Sequence, residues 1–403
     1  MHRLSIALAA LVSITACSRK EPQQPGVSTE STKALDPGSD ARAAPITPEP
    51  PTMGAPDVRL ADLSEGAQDV NAHAATLARM FEALGNGRYE QAFDEFDEGV
   101  AWTEIGTPNG ADLTGRPAVR GFYDANDDAF DGPAFQPSRI VDMGEHAFVE
   151  YVWRGKHART LAGASATDRE VSVPGAMLVH FTNGRVDRVW NAFDLGALYT
   201  AIGAVPSQTA DARTAPEWPA AAQVIVAGTA NQALADRYKA AMQRLTGQNF
   251  EEVLREVASE NLVQTDRMSG RKVTGLAENV ATMKAAMASM GDYTVQVERA
   301  WGAGDWVVAQ QTYRYTYNGG VPGVVAAGQR IEIPVLAIAH FTGDRMDSYR
   351  DYGNSLGLMA QLGMTLPGGA APKPDANMGG GSLDDAGLNA ADVGPGTVDV
   401  RMD

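Results

Sequence analysis

The sequence predicts an α+β protein built twice over, each copy placing short helices ahead of a curved antiparallel sheet. Three observations carry this. The run from His180 through Asn183-Gly184-Arg185-Val186 to Asp194 and Gly203 returns at His340, Arg345-Met346, Asn354 and Gly363. The offset is 160 residues (180 to 340, 194 to 354, 203 to 363), and Thr114-Gly115 against Thr274-Gly275 and Pro174 against Pro334 keep it. A register constant over about 90 residues marks a duplicated domain, not a shared short motif. Within each copy, helical spacing gives way to two-residue alternation, the order expected of helices that pack on a later sheet.

The copies lie between two unlike ends. Arg3 and the apolar stretch Leu4 to Ile14 have the form of a signal peptide, assigned to residues 1–16. Ile14-Thr15-Ala16-Cys17 resembles a bacterial lipobox, which makes Cys17 the expected lipidation site. Cys17 is the only cysteine, so no disulfide framework or cysteine-rich metal site is available. Residues 17–70 are crowded with Pro, Ser, Thr, Ala and Gly and read as a disordered tether. Residues 366–403, with Gly379-Gly380-Gly381-Ser382, read as a disordered Gly-rich tail. Lipidation of Cys17 would anchor the chain in a bacterial cell envelope, with Ser18 favouring the outer membrane.

In the first copy (71–205), Leu77, Met80, Phe81 and Leu84, a break at Gly85-Asn86-Gly87, then Phe93 and Phe96 predict two short helices. Val100 to Ile105 is strand-like, and Pro117 opens a helix running to about Phe130. Arg139 to Met143 and His146 to Arg154 form a predicted hairpin, as do 171–182 and 185–193 about the Asn183-Gly184 turn. A short helix closed by Gly203 ends the copy. Residues 206–228, with Pro216 and Pro219, read as a linker. The second copy (229–365) repeats the pattern, with strands at Tyr293–Ala300, Asp305–Tyr317, Ile331–Thr342 and Met346–Tyr352.

Leu113-Thr114-Gly115-Arg116-Pro117, Asn183 through Asp194, Val273-Thr274-Gly275 and Tyr349 through Gln361-Leu362-Gly363 together carry a resemblance. Each copy resembles a SnoaL-like member of the nuclear-transport-factor-2 superfamily, which implies a cone-shaped fold around a deep, largely apolar pocket. Cyclases of that family pair an acid/base aspartate with a histidine fourteen residues upstream, and His180 and Asp194 stand at that spacing. The chemistry is a proton taken beside a carbonyl and another given to the developing alkoxide. Asp194 also immediately precedes the terminal helix, where Asp is a favoured N-cap. Asn354, its counterpart, caps equally well but carries no proton. In a tight hairpin His180 would lie opposite Asp187 and share a face with Asn191.

Expected pocket residues are Trp102, Glu104, Phe148, Trp153 and Trp190 in the first copy, and Trp306, Tyr313, His340, Asp351 and Asn354 in the second. Strand alternation sends about half of such a set to the outer face. Glu104 stands out because Gln264 replaces it at the same offset.

Other chemistries are excluded. Gly353-Asn354-Ser355-Leu356-Gly357 has the form of a nucleophile elbow, but no histidine follows the serine. Asp124-Ala125-Asn126-Asp127-Asp128 starts like a calcium loop that Ala129 and Phe135 spoil. The six histidines show no metal spacing, and no phosphate-binding glycine loop is present, so neither metal nor cofactor is expected. A formal net charge of −17, from 33 basic and 50 acidic residues, argues against nucleic acid. The expected partner is a small, mostly apolar molecule, and the copies could pair in cis or as a homodimer. Three function classes remain: a ligand-binding protein, a cyclase, isomerase or hydrolase using Asp194 and His180, and a structural module of the envelope.

Overall fold

The computed structural model describes residues 72–108, 112–205, 223–226, 230–268, 270–319 and 327–364. The expected signal peptide, Cys17, the tether and the tail lie outside the described residues.

The first repeat runs α1 (Ala72–Gly85), α2 (Tyr89–Phe93), β1 (Phe96–Glu104), β2 (Asp112–Thr114), α3 (Arg116–Asp127), β3 (Phe130–Asp142), β4 (His146–His157), β5 (Glu170–Thr182), β6 (Arg185–Phe193) and α4 (Leu195–Ala201). After the short β7 (Gln223–Val226), the second repeat supplies α5 (Gln232–Arg244), α6 (Phe250–Val257), β8 (Ala258–Asp266), β9 (Arg271–Thr274), α7 (Leu276–Ala286), β10 (Met290–Ala303), β11 (Trp306–Tyr317), β12 (Arg330–Thr342), β13 (Arg345–Tyr352) and α8 (Ser355–Gln361). Each repeat folds as a six-stranded sheet, β2-β1-β6-β5-β4-β3 and β9-β8-β13-β12-β11-β10, with β1–β6 and β8–β13 the parallel pairs. β7 adds a seventh strand to the first sheet, parallel to β3 at Arg139–Asp142. The sequence offered only a linker there.

Alternation divides each sheet cleanly. On β5, Val171, Val173, Met177 and Val179 turn inward to the helices, while Ala176 and Leu178 turn outward. Leu77, Met80, Phe81 and Leu84 of α1 join that inner core at the helical spacing read from the sequence. Asn183 and Gly184 both take positive φ (52° and 75°), as a two-residue hairpin turn with the twist of its strands requires.

Over the middle of the sheets the outer faces meet each other. Ile105, Val141, Phe148, Ala176, Leu178, Trp190 and Ala192 of the first repeat form one cluster with Ala303, Val308, Leu336, Ile338 and Tyr352 of the second. Burying each large apolar side chain in such a layer contributes roughly 1.5–3 kcal/mol. Glu150 sits inside this seam, receiving Arg350 (Nε 2.6 Å, Nη2 3.0 Å), the Tyr352 hydroxyl and Arg139. Arg139 in turn lies 4.6 Å from the Trp306 ring centroid. α8 packs on the loop after β1 closely enough that a Cβ on Gly357 would stand 2.0 Å from the Gly106 carbonyl oxygen. Glycine is the residue that permits this approach.

Candidate active site

The inner end of β1 and β6 builds a buried polar group inside the first cone. Trp102, Glu104 and Asn191 point inward, and parallel pairing sets Glu104 beside Asn191. The Trp102 Nε1–H donates to Glu104 Oε1 at 2.7 Å. Asn191 Nδ2 donates to both carboxyl oxygens, at 2.8 and 3.0 Å. Tyr151, across the sheet on β4, donates its hydroxyl to Asn191 Oδ1 at 2.8 Å, which fixes the amide with its NH₂ toward the acid. Oε1 thus accepts two hydrogen bonds and Oε2 one, leaving Oε2 the freer oxygen.

This arrangement is local sequence chemistry. Tyr151 can lie across the sheet because its partner on β5 is Gly175, where a Cβ would come within 2.4 Å of the tyrosine ring. In the second repeat the equivalent pair is Gln311 opposite Val335, a smaller side chain facing a larger one. Both pairs fill similar space with opposite distributions of bulk.

Glu104 is only 4% exposed, and burial pushes its pKa up to about 7 against the opposing pull of the Asn191 and Trp102 hydrogen bonds. It lines a pocket with Tyr123, Phe135, Tyr151, Trp153 and, at half-buried positions, Phe122 and Phe193. The cavity there has a volume of about 40 Å³. A ring-sized ligand must therefore displace side chains such as the half-buried phenylalanines. Among the described residues no cluster of three or more histidine, cysteine or acidic side chains could hold a metal.

The expected catalytic pair lies elsewhere. Asp194 is 2% exposed and caps α4, accepting from the Ala197 amide at 3.0 Å. The same Oδ1 accepts from the Ser355 amide (2.9 Å) and hydroxyl (2.6 Å) of the other repeat. His180 sits at the far end of β5, at the rim of the seam, bonded through Nδ1 to Asp187 Oδ1 at 2.6 Å and beside His146. Burial, with the nearby His180 and Arg299, pushes the pKa of His146 down to about 4. Six strand steps, from 180 to the level of Asp194, separate the expected pair by roughly 20 Å. A one-residue bulge at Asp187 pairs His180 with Arg188 instead of Asp187. It also turns His180 to the outer face while Asn191 faces inward, correcting the shared face read from the hairpin.

The expected pocket residues divide in the same way. Glu104 and Trp153 line the first pocket, and Trp102 supports Glu104 from the adjoining core. Phe148 and Trp190 face the seam, as does Trp306, which packs on Arg139 and on His340. His340 is bonded to Asp347 and Asn354 caps α8, and neither lines the second pocket. Tyr313 lines the second pocket and hydrogen-bonds to Asp351.

One correspondence changes. Glu104 pairs with Asn191, and Asp266 pairs with Asp351 at the same place in the second sheet (191 + 160 = 351). The counterpart of Glu104 is therefore Asp266, not Gln264, whose own counterpart is Trp102 (102↔189 and 264↔349). Two residues are gained before β8 and lost again in the β8–β9 turn. The sequence missed Asp266, Asn191 and Tyr151 as site residues; the inward alternation of β6, β8 and β4 was the available signal.

Comparison with known proteins places both repeats. Residues 233–362 match the family described as SnoaL-like polyketide cyclase, and residues 77–189 match the SnoaL-like domain family. Solved structures similar to one repeat include AclR from Streptomyces galilaeus, 13% identical, covering 34% of this chain and 99% of its own, with a TM-score of 0.31. A protein from Jannaschia sp. CCS1, provisionally named a SnoaL-like polyketide cyclase, is 19% identical and covers 34% of this chain and 94% of its own, with a TM-score of 0.31. IdmH from Streptomyces antibioticus is 18% identical over 32% of this chain and 98% of its own, with a TM-score of 0.30. No curated protein matches the chain.

Proposed function

From the premise that this chain carries two SnoaL-like domains in tandem, we propose that the first binds a small, mostly apolar, carbonyl-bearing molecule and moves a proton on it through Glu104. The chemistry is that of a cofactor-independent isomerase or cyclase. The observation that carries this reading is a single buried carboxyl group, pushed up to about 7, in a pocket walled mainly by aromatic rings. An acid poised near neutral pH can both take and return a proton. Asn191 and Trp102 hold the carboxyl in place, and Oε2 has acceptor capacity left for a proton beside the ligand carbonyl. Low dielectric strengthens each of these contacts once the ligand excludes water. Asp194, engaged as a helix cap and by Ser355, does not take part, and His180 serves the seam.

The test is proton exchange. Small cyclic ketones in D₂O are followed by proton NMR with the full chain and with Glu104→Gln. The native chain is expected to exchange α-protons well above the buffer rate, with the rate rising through pH 7. Glu104→Gln should lose about 100-fold or more while ketone binding stays within a few-fold. Equal rates for the two proteins would overturn the assignment.

We also read the chain as a lipoprotein of the bacterial envelope, anchored through Cys17 with its tandem domains held off the membrane by the tether. The sequence Ile14-Thr15-Ala16-Cys17 supports this. Metabolic labelling with a fatty acid checks it: label should enter the native chain and not Cys17→Ala.

A further inference from the structure

The second cone holds a different polar group from the first, and it is not used above. Asp266 and Asp351 stand side by side on β8 and β13, 1% and 0% exposed. Asp266 Oδ1 accepts from the Met268 amide at 2.9 Å. Asp351 Oδ2 accepts from the Tyr313 hydroxyl at 2.8 Å, while its Oδ1 is buried without a hydrogen-bond partner. Burial, and then the charge of Asp266, pushes the Asp351 pKa well above the carboxylate range. A proton on Oδ1 leaves Oδ2 the acceptor for Tyr313.

From Oδ2 a relay runs to the cavity. Tyr313 gives its hydrogen to Asp351, so the Tyr349 hydroxyl, 2.5 Å from that of Tyr313, is the donor between the two phenols. Gln311 Nε2 donates to both phenol oxygens, at 3.0 and 2.7 Å, and its Oε1 accepts from Tyr238 at 2.8 Å. Every hydrogen on Tyr349 and Tyr313 therefore points toward the acid pair. At the end of the relay the Tyr349 oxygen keeps one acceptor lone pair, and the Tyr293 hydroxyl and the Gln264 amide are the other polar groups of the cavity lining. Tyr313 and Tyr349 both line the cavity, whose other walls include Leu254, Leu262, Met283 and Tyr293.

We propose that the second repeat is a binding site for a small apolar molecule carrying a hydroxyl group, a phenol or an enol, which donates its hydrogen to the Tyr349–Tyr313–Asp351 relay. The direction of the relay sets the selectivity: a ligand that only accepts hydrogen bonds leaves the Tyr349 lone pair unmet. The two repeats thus select by different chemistry. The first meets a carbonyl compound with an exchangeable acid, and the second meets a hydroxyl donor with a fixed acceptor.

The probes are 2-naphthol and its methyl ether, 2-methoxynaphthalene, titrated calorimetrically into the full chain at pH 7. One hydrogen bond made or left unmet predicts about a tenfold preference for the naphthol. Tyr313→Phe and Asp351→Asn should each reduce it to less than about twofold. Tyr313→Phe keeps the shape of the ring, and circular dichroism with a thermal melt confirms that each variant is folded. Should one of them unfold, Tyr349→Phe makes the same test. Glu104→Gln should leave the preference intact. Equal binding of the two probes by the native chain overturns the proposal. So does a preference that survives both relay variants, and one lost in Glu104→Gln instead belongs to the first pocket.

Discussion

Replacing Glu150 by glutamine tests whether the seam between the repeats is held by one buried charge. Glu150 is 3% exposed at its side chain and faces Arg350 and Arg139, themselves 14% and 17% exposed. Burial alone would push its pKa up. The positive charges of Arg350 and Arg139, with the hydrogen bonds of Arg350 and Tyr352, outweigh burial and hold it down at about 2. The arginines respond unequally: Arg350 is raised by Glu150, whereas burial and repulsion from Arg350 lower Arg139. Arg350 is the principal partner, because it reaches both Glu150 oxygens through two nitrogens.

A carboxyl moved from its ordinary 4.5 to about 2 contributes roughly 3 kcal/mol to folding. Breaking a buried pair and stranding its partners costs about 3–5 kcal/mol. Both routes put Glu150→Gln at a loss of roughly 3 kcal/mol at pH 7, a fall in Tm on the order of 5–10 °C. The sign with pH is fixed. The folded pKa is depressed, so the contribution is complete above 4.5 and disappears as pH falls toward about 2. Differential scanning calorimetry of both proteins from pH 7 to pH 3 should show the gap in Tm narrowing on acidification. Adding Arg350→Met and Arg139→Met to a Glu150→Leu chain should recover most of the loss, since apolar replacements remove the stranded charges. A gap below 1 °C at pH 7, or one that does not change with pH, would refute the reasoning.

Glu104 carries the opposite sign. Its folded pKa of about 7 lies above the ordinary 4.5, so stability declines as pH rises between those values, and Glu104→Gln should gain up to roughly 3 kcal/mol at pH 8 and nothing at pH 4; urea denaturation at the two values checks this. Gly175→Ala brings a Cβ to within 2.4 Å of the Tyr151 ring and should cost about 1–3 kcal/mol, with the loss largely recovered when Tyr151→Gln is added in imitation of Gln311 and Val335. At Asp194, asparagine should preserve the melting temperature within about 2 °C and leave proton exchange unchanged, because it caps as well. Alanine there should cost at least about 1–2 kcal/mol through the lost cap and the orphaned Ser355 hydroxyl.

Much of the fold was legible because it depends on periodic signals. The spacing of Leu77, Met80, Phe81 and Leu84, the alternation along 171–182 and the Asn183-Gly184 turn each predict an element that the structure contains. The short strands β2, β7 and β9 escaped, since three or four residues carry no readable period. The site was less legible because it depends on single residues. One extra residue at Asp187 reverses which face His180 presents, and no periodic pattern announces a bulge. Likewise, the 160-residue offset holds from Thr114 onward but fails within β1 and β8, which hid Asp266 behind Gln264.

Those two misreadings share a physical cause that bears on how the repeats diverged. A duplicated sheet has two faces under different constraints. Outer faces here pack on each other, so Leu178 and Ile338, Ala176 and Leu336, Trp190 and Arg350 occupy one shared layer. A change on one side must suit the other, as Glu150 with Arg350 and Asp194 with Ser355 show. Inner faces answer only to their own cone. There Trp102 became or came from Gln264, Glu104 from Asp266, Asn191 from Asp351 and Tyr151 from Gln311, each exchange altering hydrogen-bonding capacity at nearly fixed backbone geometry. An acid beside an amide can exchange a proton with what enters. An acid beside an acid, capped by phenols, presents a directed acceptor. The seam is what allows this: it fixes both scaffolds through the outer layer and frees the inner residues to differ. Hence seam variants should act on stability in both repeats together, while pocket variants act on one ligand class alone.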